Sequence, residues 1–170
     1  MTALYVNQNV FSIFEEFFVK DSKGKNRYRV TGMPLSLTRK LNIYDEKGQC
    51  AATVEKPVFS ILPDTYDIFV HGKKKAVIHA RVFSIFPWVR HQVGIVNWDV
   101  TGLPLDHDFT VTRGFSTVAS IHKKWMSFGD CYELHVAEGE DELIALAVMI
   151  GLNAIQSDHD MQKKTAGKKK

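Results

Sequence analysis

Cysteine is nearly absent from this 170-residue chain, with only Cys50 and Cys131 present. Two cysteines cannot build a disulfide framework, and both are expected to be buried small residues in a reducing compartment. No basic stretch followed by an apolar one opens the chain, because Glu15 and Glu16 interrupt the first apolar run. A signal peptide is therefore not expected, and the reading is cytoplasmic. A basic body is missing too. The net charge is +3, but Lys163, Lys164, Lys168, Lys169 and Lys170 sit together in the tail. The rest of the chain is near neutral or slightly acidic, which argues against nucleic acid as the main partner.

Catalytic and metal-binding signatures are also lacking. Seven histidines are scattered with no His-Glu-x-x-His, and no zinc-type ligand spacing occurs. Asp106-His-Asp108 and Asp158-His-Asp160 each hold three potential ligands. Adjacent strand residues point to opposite faces, so a triplet alone cannot close a metal site. The first reads as a polar turn and the second as a frayed helix end. The serines of Phe-Ser-Ile lack nucleophile-elbow glycines, and no Gly-Lys-Ser/Thr follows any glycine. With no acid–base or nucleophile constellation, neither an enzyme nor a cofactor is expected.

What the chain has is alternation. Hydrophobic residues make up 45% of it against 24% charged, the balance of a folded domain with a substantial core. Strand-like runs recur at residues 11–19, 27–31, 41–44, 52–55, 66–70, 77–83, 93–100, 109–112, 117–122 and 132–136. Turn signals separate them, best at Asp21-Ser-Lys-Gly24, Asp45-Glu-Lys-Gly48 and His71-Gly72. Gly24, Gly48 and Gly72 stand 24 residues apart, and Ser12, Ser36, Ser60 and Ser84 repeat at the same period midway between them. A 24-residue unit is about one hairpin with its connections. The serines then fall at outward or turn-facing positions. A second echo, Val30-Thr-Gly-Met-Pro-Leu35 against Val100-Thr-Gly-Leu-Pro-Leu105, does not share that period. Ten to twelve short antiparallel strands that close on themselves remove the exposed sheet edges. Such a barrel has a wide interior that must be filled.

The filler is the segment 143–155. Residues 143–150 form one unbroken apolar run, which covers every side of a helix and demands burial all round. A helix over about residues 141–157 would be about 25 Å long. Its apolar part is shorter than the roughly 20 residues of a membrane span. Glu138, Glu140, Asp141 and Glu142 suit the positive end of the helix dipole. Ala145, Ala147, Gly151 and Ala154 keep the helix narrow. Leu143, Leu146, Met149, Ile150 and Leu152 are the expected core of this axle. The domain is read as residues 1–160, with residues 161–170 as a basic disordered tail.

Three stretches resemble the C-terminal half of the LURP-one-related family: Ser120-Ile-His-Lys-Lys-Trp125, Asp130-Cys-Tyr-Glu-Leu-His-Val136 and Glu140-Asp-Glu-Leu-Ile-Ala-Leu-Ala147. Tyr28-Arg-Val-Thr-Gly32 and Leu41-Asn-Ile-Tyr-Asp45 resemble its first strands. The resemblance spans about residues 4–157 and implies the fold shared with tubby C-terminal domains and phospholipid scramblases. That fold is a twelve-stranded β-barrel around a hydrophobic C-terminal helix. It also implies a binding or regulatory module, since tubby domains bind phosphoinositide head groups. It supplies no catalytic residues, and the acidic calcium-binding pattern of the scramblases is not matched here.

Anionic-ligand contacts are expected at Lys73, Lys74 and Lys75 on a hairpin tip, and at Arg90, Lys123 and Lys124. The partner is then an anionic phospholipid or a protein. Phe86-Pro-Trp-Val-Arg90 reads as a buried plug, with an aromatic tip that dips into an interface as the other reading. Two alternatives carry different expectations. A scramblase-like protein would use the helix as an anchor, and a small-ligand carrier or enzyme would keep a cavity beside it.

Overall fold

In the computed structural model, residues 1–7, 16–32, 39–81, 89–103, 108–126 and 129–167 are described. These residues form twelve strands and one helix. The strands are β1 (Thr2–Asn7), β2 (Glu16–Asp21), β3 (Asn26–Gly32), β4 (Lys40–Tyr44), β5 (Cys50–Glu55) and β6 (Tyr66–Val70). They continue as β7 (Lys73–Ala80), β8 (Val89–Gly94), β9 (Trp98–Leu103), β10 (Asp108–Arg113), β11 (Ser116–Met126) and β12 (Gly129–Val136). Helix α1 spans Glu142–Gly167. Each strand pairs antiparallel with its sequence neighbours, and β1 pairs with β12, from Thr2 against Val136 to Asn7 against Cys131. The sheet is therefore a closed barrel with no free edge, as the alternation predicts.

Alternation decides what faces inward. Leu41 and Ile43 on β4, Tyr66, Ile68 and Val70 on β6, and Ala76 and Ile78 on β7 are buried, while their neighbours are partly or fully exposed. The inward set meets α1, whose residues from Ile144 to Ile155 are all buried. Leu146 and Met149 are wholly buried, and Ile150 and Leu152 nearly so. Leu143 is only partly buried, at the mouth of the barrel. The helix packs chiefly against β5, β6 and β7. Gly151 sets how close it lies: a Cβ there would stand 2.5 Å from Ile78 Cδ1 and 3.4 Å from Val54 Cγ1.

An antiparallel meander places its connections alternately at two ends of the barrel. The turns after β2, β4, β6, β8 and β10 lie at one end. The glycines of the 24-residue period lie there, with φ of 77° at Gly24 and 75° at Gly48 and Gly72, the left-handed region that glycine enters without cost. Two of these turns are built alike. Asp21 Oδ1 accepts from the amides of Lys23 and Lys25, and Asp45 Oδ1 accepts from those of Lys47 and Gln49, all at 2.9 Å. The longer connections lie at the other end. Ser60 is in one of them, where it donates to Leu62 O at 2.9 Å and lies 2.6 Å from Thr65 Oγ1. Ser12, Ser36 and Ser84 lie outside the described residues, as do residues 86–88 of the aromatic turn. The Val-Thr-Gly echo also gains a meaning: Gly32 and Gly102 lie at or beside the ends of β3 and β9, six strands apart on the same rim.

The structure corrects four expectations. Residues 93–100 are not one strand but the hairpin between β8 and β9, where Ile95 and Asn97 take positive φ. The β-branched run hid the turn because its only strong signal is Asn97. Strand β1, absent from the sequence reading, completes the barrel. Cys50 is exposed and Cys131 half-buried, and neither is in a disulfide; Cys50 opens β5 beside a turn, outside the inward set. Finally, α1 does not stop near Ser157 but continues to Gly167, with residues 160–167 exposed.

Candidate functional site

The helix is fastened at both mouths. At the turn end, Asp141 Oδ1 caps it by accepting from the amides of Leu143 and Ile144 at 2.9 and 3.0 Å. Glu142 accepts from Tyr28 Oη at 2.7 Å and Arg27 Nε at 3.3 Å. Glu140 takes a two-pronged bond from Arg113, both contacts at 2.9 Å. Burial first, and then the bond to Glu142, push the Tyr28 hydroxyl well above its ordinary range.

At the loop end, the carboxylate of Asp158 is the hub. It accepts from Arg39 Nη1, from Lys56 Nζ at 2.8 Å and from Tyr66 Oη at 2.9 Å. Arg39 also donates to Ala154 O at 3.0 Å, an acceptor near the end of the buried stretch. Next to it, Asp64 joins two histidines from different elements, His159 on α1 at 2.7 Å and His91 on β8 at 3.3 Å. Burial works to raise the Asp64 carboxyl, but the bonds from His91 and His159 outweigh it and hold the group below its ordinary value. Asp64 itself has φ of 53°, an uncommon conformation for a non-glycine residue. The Asp158-His-Asp160 triplet is thus no frayed end. Two of its members tie the helix to the connection 56–65 between β5 and β6.

That connection carries an apolar crest. Val58 is 71% exposed, Phe59 91%, Ile61 102% and Leu62 42%. Scattered apolar residues on a surface need no explanation, but four within five positions are unusual. Three cations lie at the same end of the barrel as the crest. Lys56 precedes it and bonds Asp158, while Arg90, exposed, adjoins His91, which bonds Asp64. Lys163 follows His159 by one helical turn and leaves α1 on the same side. A groove of about 540 Å³ runs from Phe59, Ile61 and Leu62 down the outside of β6 and β7 to Asp67, Lys74, Val77 and His79. A second groove of about 540 Å³ lies between Lys56 and the helix residues Asp158, Met161, Gln162, Thr165 and Ala166.

The six predicted cations do not form one patch. Lys73, Lys74 and Lys75 open β7 at the turn end, where Lys74 pairs with Asp67 at 2.8 Å. Arg90 is at the loop end. Lys123 and Lys124 lie on the loop-end half of β11. Lys124 is engaged by Glu133 at 3.1 Å and lies over the Tyr5 ring. Glu133 also accepts from Tyr5 Oη at 2.6 Å, and this bond, with burial, pushes the Tyr5 hydroxyl up to about 12. Sequence reasoning missed the crest around Phe59. Its one signal is the Val58-Phe-Ser-Ile61 repeat, noted for its serine, with no element assigned to its apolar flanks. Among the described residues no group of histidine, cysteine and acidic side chains is placed to hold a metal. No helix among them is long and apolar enough to cross a membrane.

Comparison with known proteins agrees with this architecture. An X-ray structure of an Arabidopsis thaliana protein shares the fold, with a TM-score of 0.65, 16% identity and 91% of each chain covered. The chain is 30% identical over 155 residues to YxjI of Bacillus subtilis (strain 168), an uncharacterised protein, covering 91% of this chain and 94% of that one. The LURP-one-related family model matches residues 2–153, from β1 through the buried stretch of α1. By its sequence and by its helix-filled twelve-stranded barrel, the chain belongs to the LURP-one-related family.

Proposed function

We propose that the protein is a non-enzymatic binding module that recognises anionic lipid head groups from the outside of its barrel, at the loop end. It works in the cytoplasm, at the periphery of a membrane. The observation that supports this reading is that Lys56, Arg90 and Lys163 lie at the same end of the barrel, Lys56 in the connection 56–65, Arg90 exposed beside His91 and Lys163 exposed on the projecting end of α1. The nearby carboxylates are already engaged: Asp158 is shared by Arg39 and Lys56, and Asp64 by two histidines. Lys56 is itself spent on Asp158, so Arg90 and Lys163 are the exposed cations left for a ligand. A cation near an anionic membrane surface contributes about 1 kcal/mol, so these two supply about 2 kcal/mol of reversible attachment. Lys73, Lys74 and Lys75, at the far end, would not reach the same bilayer.

The filled interior supports an external site. A carrier or an enzyme with a cavity beside the helix would need space where Gly151 already approaches Ile78. A scramblase-like anchor would need the helix outside the barrel, whereas its apolar stretch is buried within it.

Co-sedimentation with phosphatidylcholine vesicles, with and without phosphatidylserine, tests the reading. Binding is expected only with the anionic lipid and is expected to weaken as salt rises. Reversing Arg90 and Lys163 to Glu together is expected to abolish it. Equal binding to both vesicle types, or none to either, refutes the lipid reading.

A further inference from the structure

We infer that the apolar crest of the β5–β6 connection is a membrane wedge: Val58, Phe59, Ile61 and Leu62 enter the acyl region of an anionic bilayer while Arg90 and Lys163 rest on its head groups. This deepens the head-group reading above and rests on it. Three observations carry it. The first is exposure: Phe59 and Ile61 are almost fully in water, and no described element covers them. An apolar cluster that the fold could have turned inward is instead presented outward.

The second is charge complementarity. An anionic bilayer presents a negative plane above an apolar interior, and the loop end presents the matching pair, cations and an apolar summit. A protein partner of the same apolar character would call for hydrogen-bonding groups along the rim. Here the rim carboxylates of Asp64 and Asp158 are spent on internal bonds. The third is support. The crest is held at both of its feet: Lys56 donates to Asp158 of the helix and its amide to Arg39 O at 2.9 Å, while Pro63 O accepts from the Ala80 amide at 3.0 Å and Asp64 bonds His159. Ser60 and Thr65 tie its interior to Leu62 O. A wedge supported this way loses little freedom when it inserts.

The surface rival is at the turn end, where Ile95 and Phe115 are exposed on separate hairpins. They stand singly on their turns, without a second apolar residue beside them that is exposed.

The test uses the full chain and phosphatidylcholine vesicles with phosphatidylserine. Phe59→Asp with Ile61→Asp is expected to lower binding at least tenfold while leaving thermal unfolding unchanged, since both side chains are in water. A Phe59→Trp variant reports insertion directly: bromine-labelled acyl chains are expected to quench it beyond the quenching of the unsubstituted protein. Undiminished binding of the double variant overturns the wedge, and so does a bound Phe59→Trp protein with no added quenching. Either result leaves the head-group reading intact. Phe115→Asp is expected to bind as the unsubstituted protein does, and its loss of binding would move the bilayer to the turn end and overturn the inference. Failure of the unsubstituted protein to bind anionic vesicles defeats the head-group reading and the wedge with it.

Discussion

Gly151→Ala should destabilise this protein although it improves the helix. An alanine in place of a helical glycine ordinarily contributes about 1 kcal/mol. Here the added methyl would lie 2.5 Å from Ile78 Cδ1 and 3.4 Å from Val54 Cγ1. Carbon pairs prefer about 3.5–4.0 Å, so the first contact is short by more than 1 Å. Ile78 is wholly buried and cannot swing into solvent, so the strain falls on the packing between α1 and β7. Overpacking of this kind costs about 1–3 kcal/mol. The net expectation is a loss of about 1 kcal/mol. Ile78→Val removes the offending Cδ1 and alone costs about 0.5–1.5 kcal/mol. In the double variant the new methyl occupies the space that Cδ1 vacates. The two changes should then cost less together than the sum of their separate effects, by about 1 kcal/mol. Urea unfolding followed by circular dichroism measures all four proteins, and unchanged slopes would show that only stability has moved. If Gly151→Ala stabilises the protein by its full propensity gain and the cycle shows no coupling, the helix does not lie where the structure places it.

Leu146→Lys is expected to abolish the folded barrel. It removes a wholly buried side chain worth about 2–5 kcal/mol and buries an ammonium at several kcal/mol more, together comparable with a whole domain's stability; a folded variant by gel filtration and near-ultraviolet circular dichroism would refute the axle. Asp64 is held below its ordinary 3.8 in the folded chain, so the stabilisation it gives is present above that value and is lost as pH falls through the depressed one. Asp64→Asn should accordingly flatten the acid side of the melting-temperature profile, and an unchanged acid limb would show that the two histidine bonds contribute nothing. Tyr5, Tyr28 and Tyr66 should ionise late in an alkaline titration of phenolate absorbance, with Tyr5 near 12, and normal titration of all the tyrosines would contradict the bonds to Glu133, Glu142 and Asp158.

The barrel was legible because closure leaves a period in the chain. Gly24, Gly48 and Gly72 mark turns at one end, and the all-round apolar run 143–150 allowed no fate but enclosure. The turn at residues 95–97 escaped because Ile95 and Val96 read as strand, and positive φ at Ile95 is set by the hairpin and not by residue preference. The site was barely legible. Lys73, Lys74 and Lys75 stood out as a charge run, yet they lie at the other end of the barrel from the crest. What assembles the loop-end cluster is register: Asp64, His91 and His159 are far apart in sequence and meet only because β8 begins, and the buried stretch of α1 ends, at the rim that holds the connection 56–65. Composition shows solvated charges well and convergent ones poorly. The lysine–aspartate hub at Asp158 required the helix to outlast its apolar stretch, which an apolar pattern cannot announce.

The pairing of β1 with β12 has a consequence for how the protein is made. The barrel cannot close until residues 129–136 exist, and Tyr5 meets Glu133 across 128 positions of sequence. The axle that fills it is synthesised later still. For most of translation the growing chain is an open sheet with two unpaired edges and an uncovered apolar face, the arrangement most prone to wrong pairing. Closure also traps α1 inside the sheet, so helix and last strand must arrive together, which favours slow folding dominated by distant contacts. A released chain cut before residue 142 would carry all twelve strands with nothing inside them, and such a chain should depend on chaperones in a way the full protein does not.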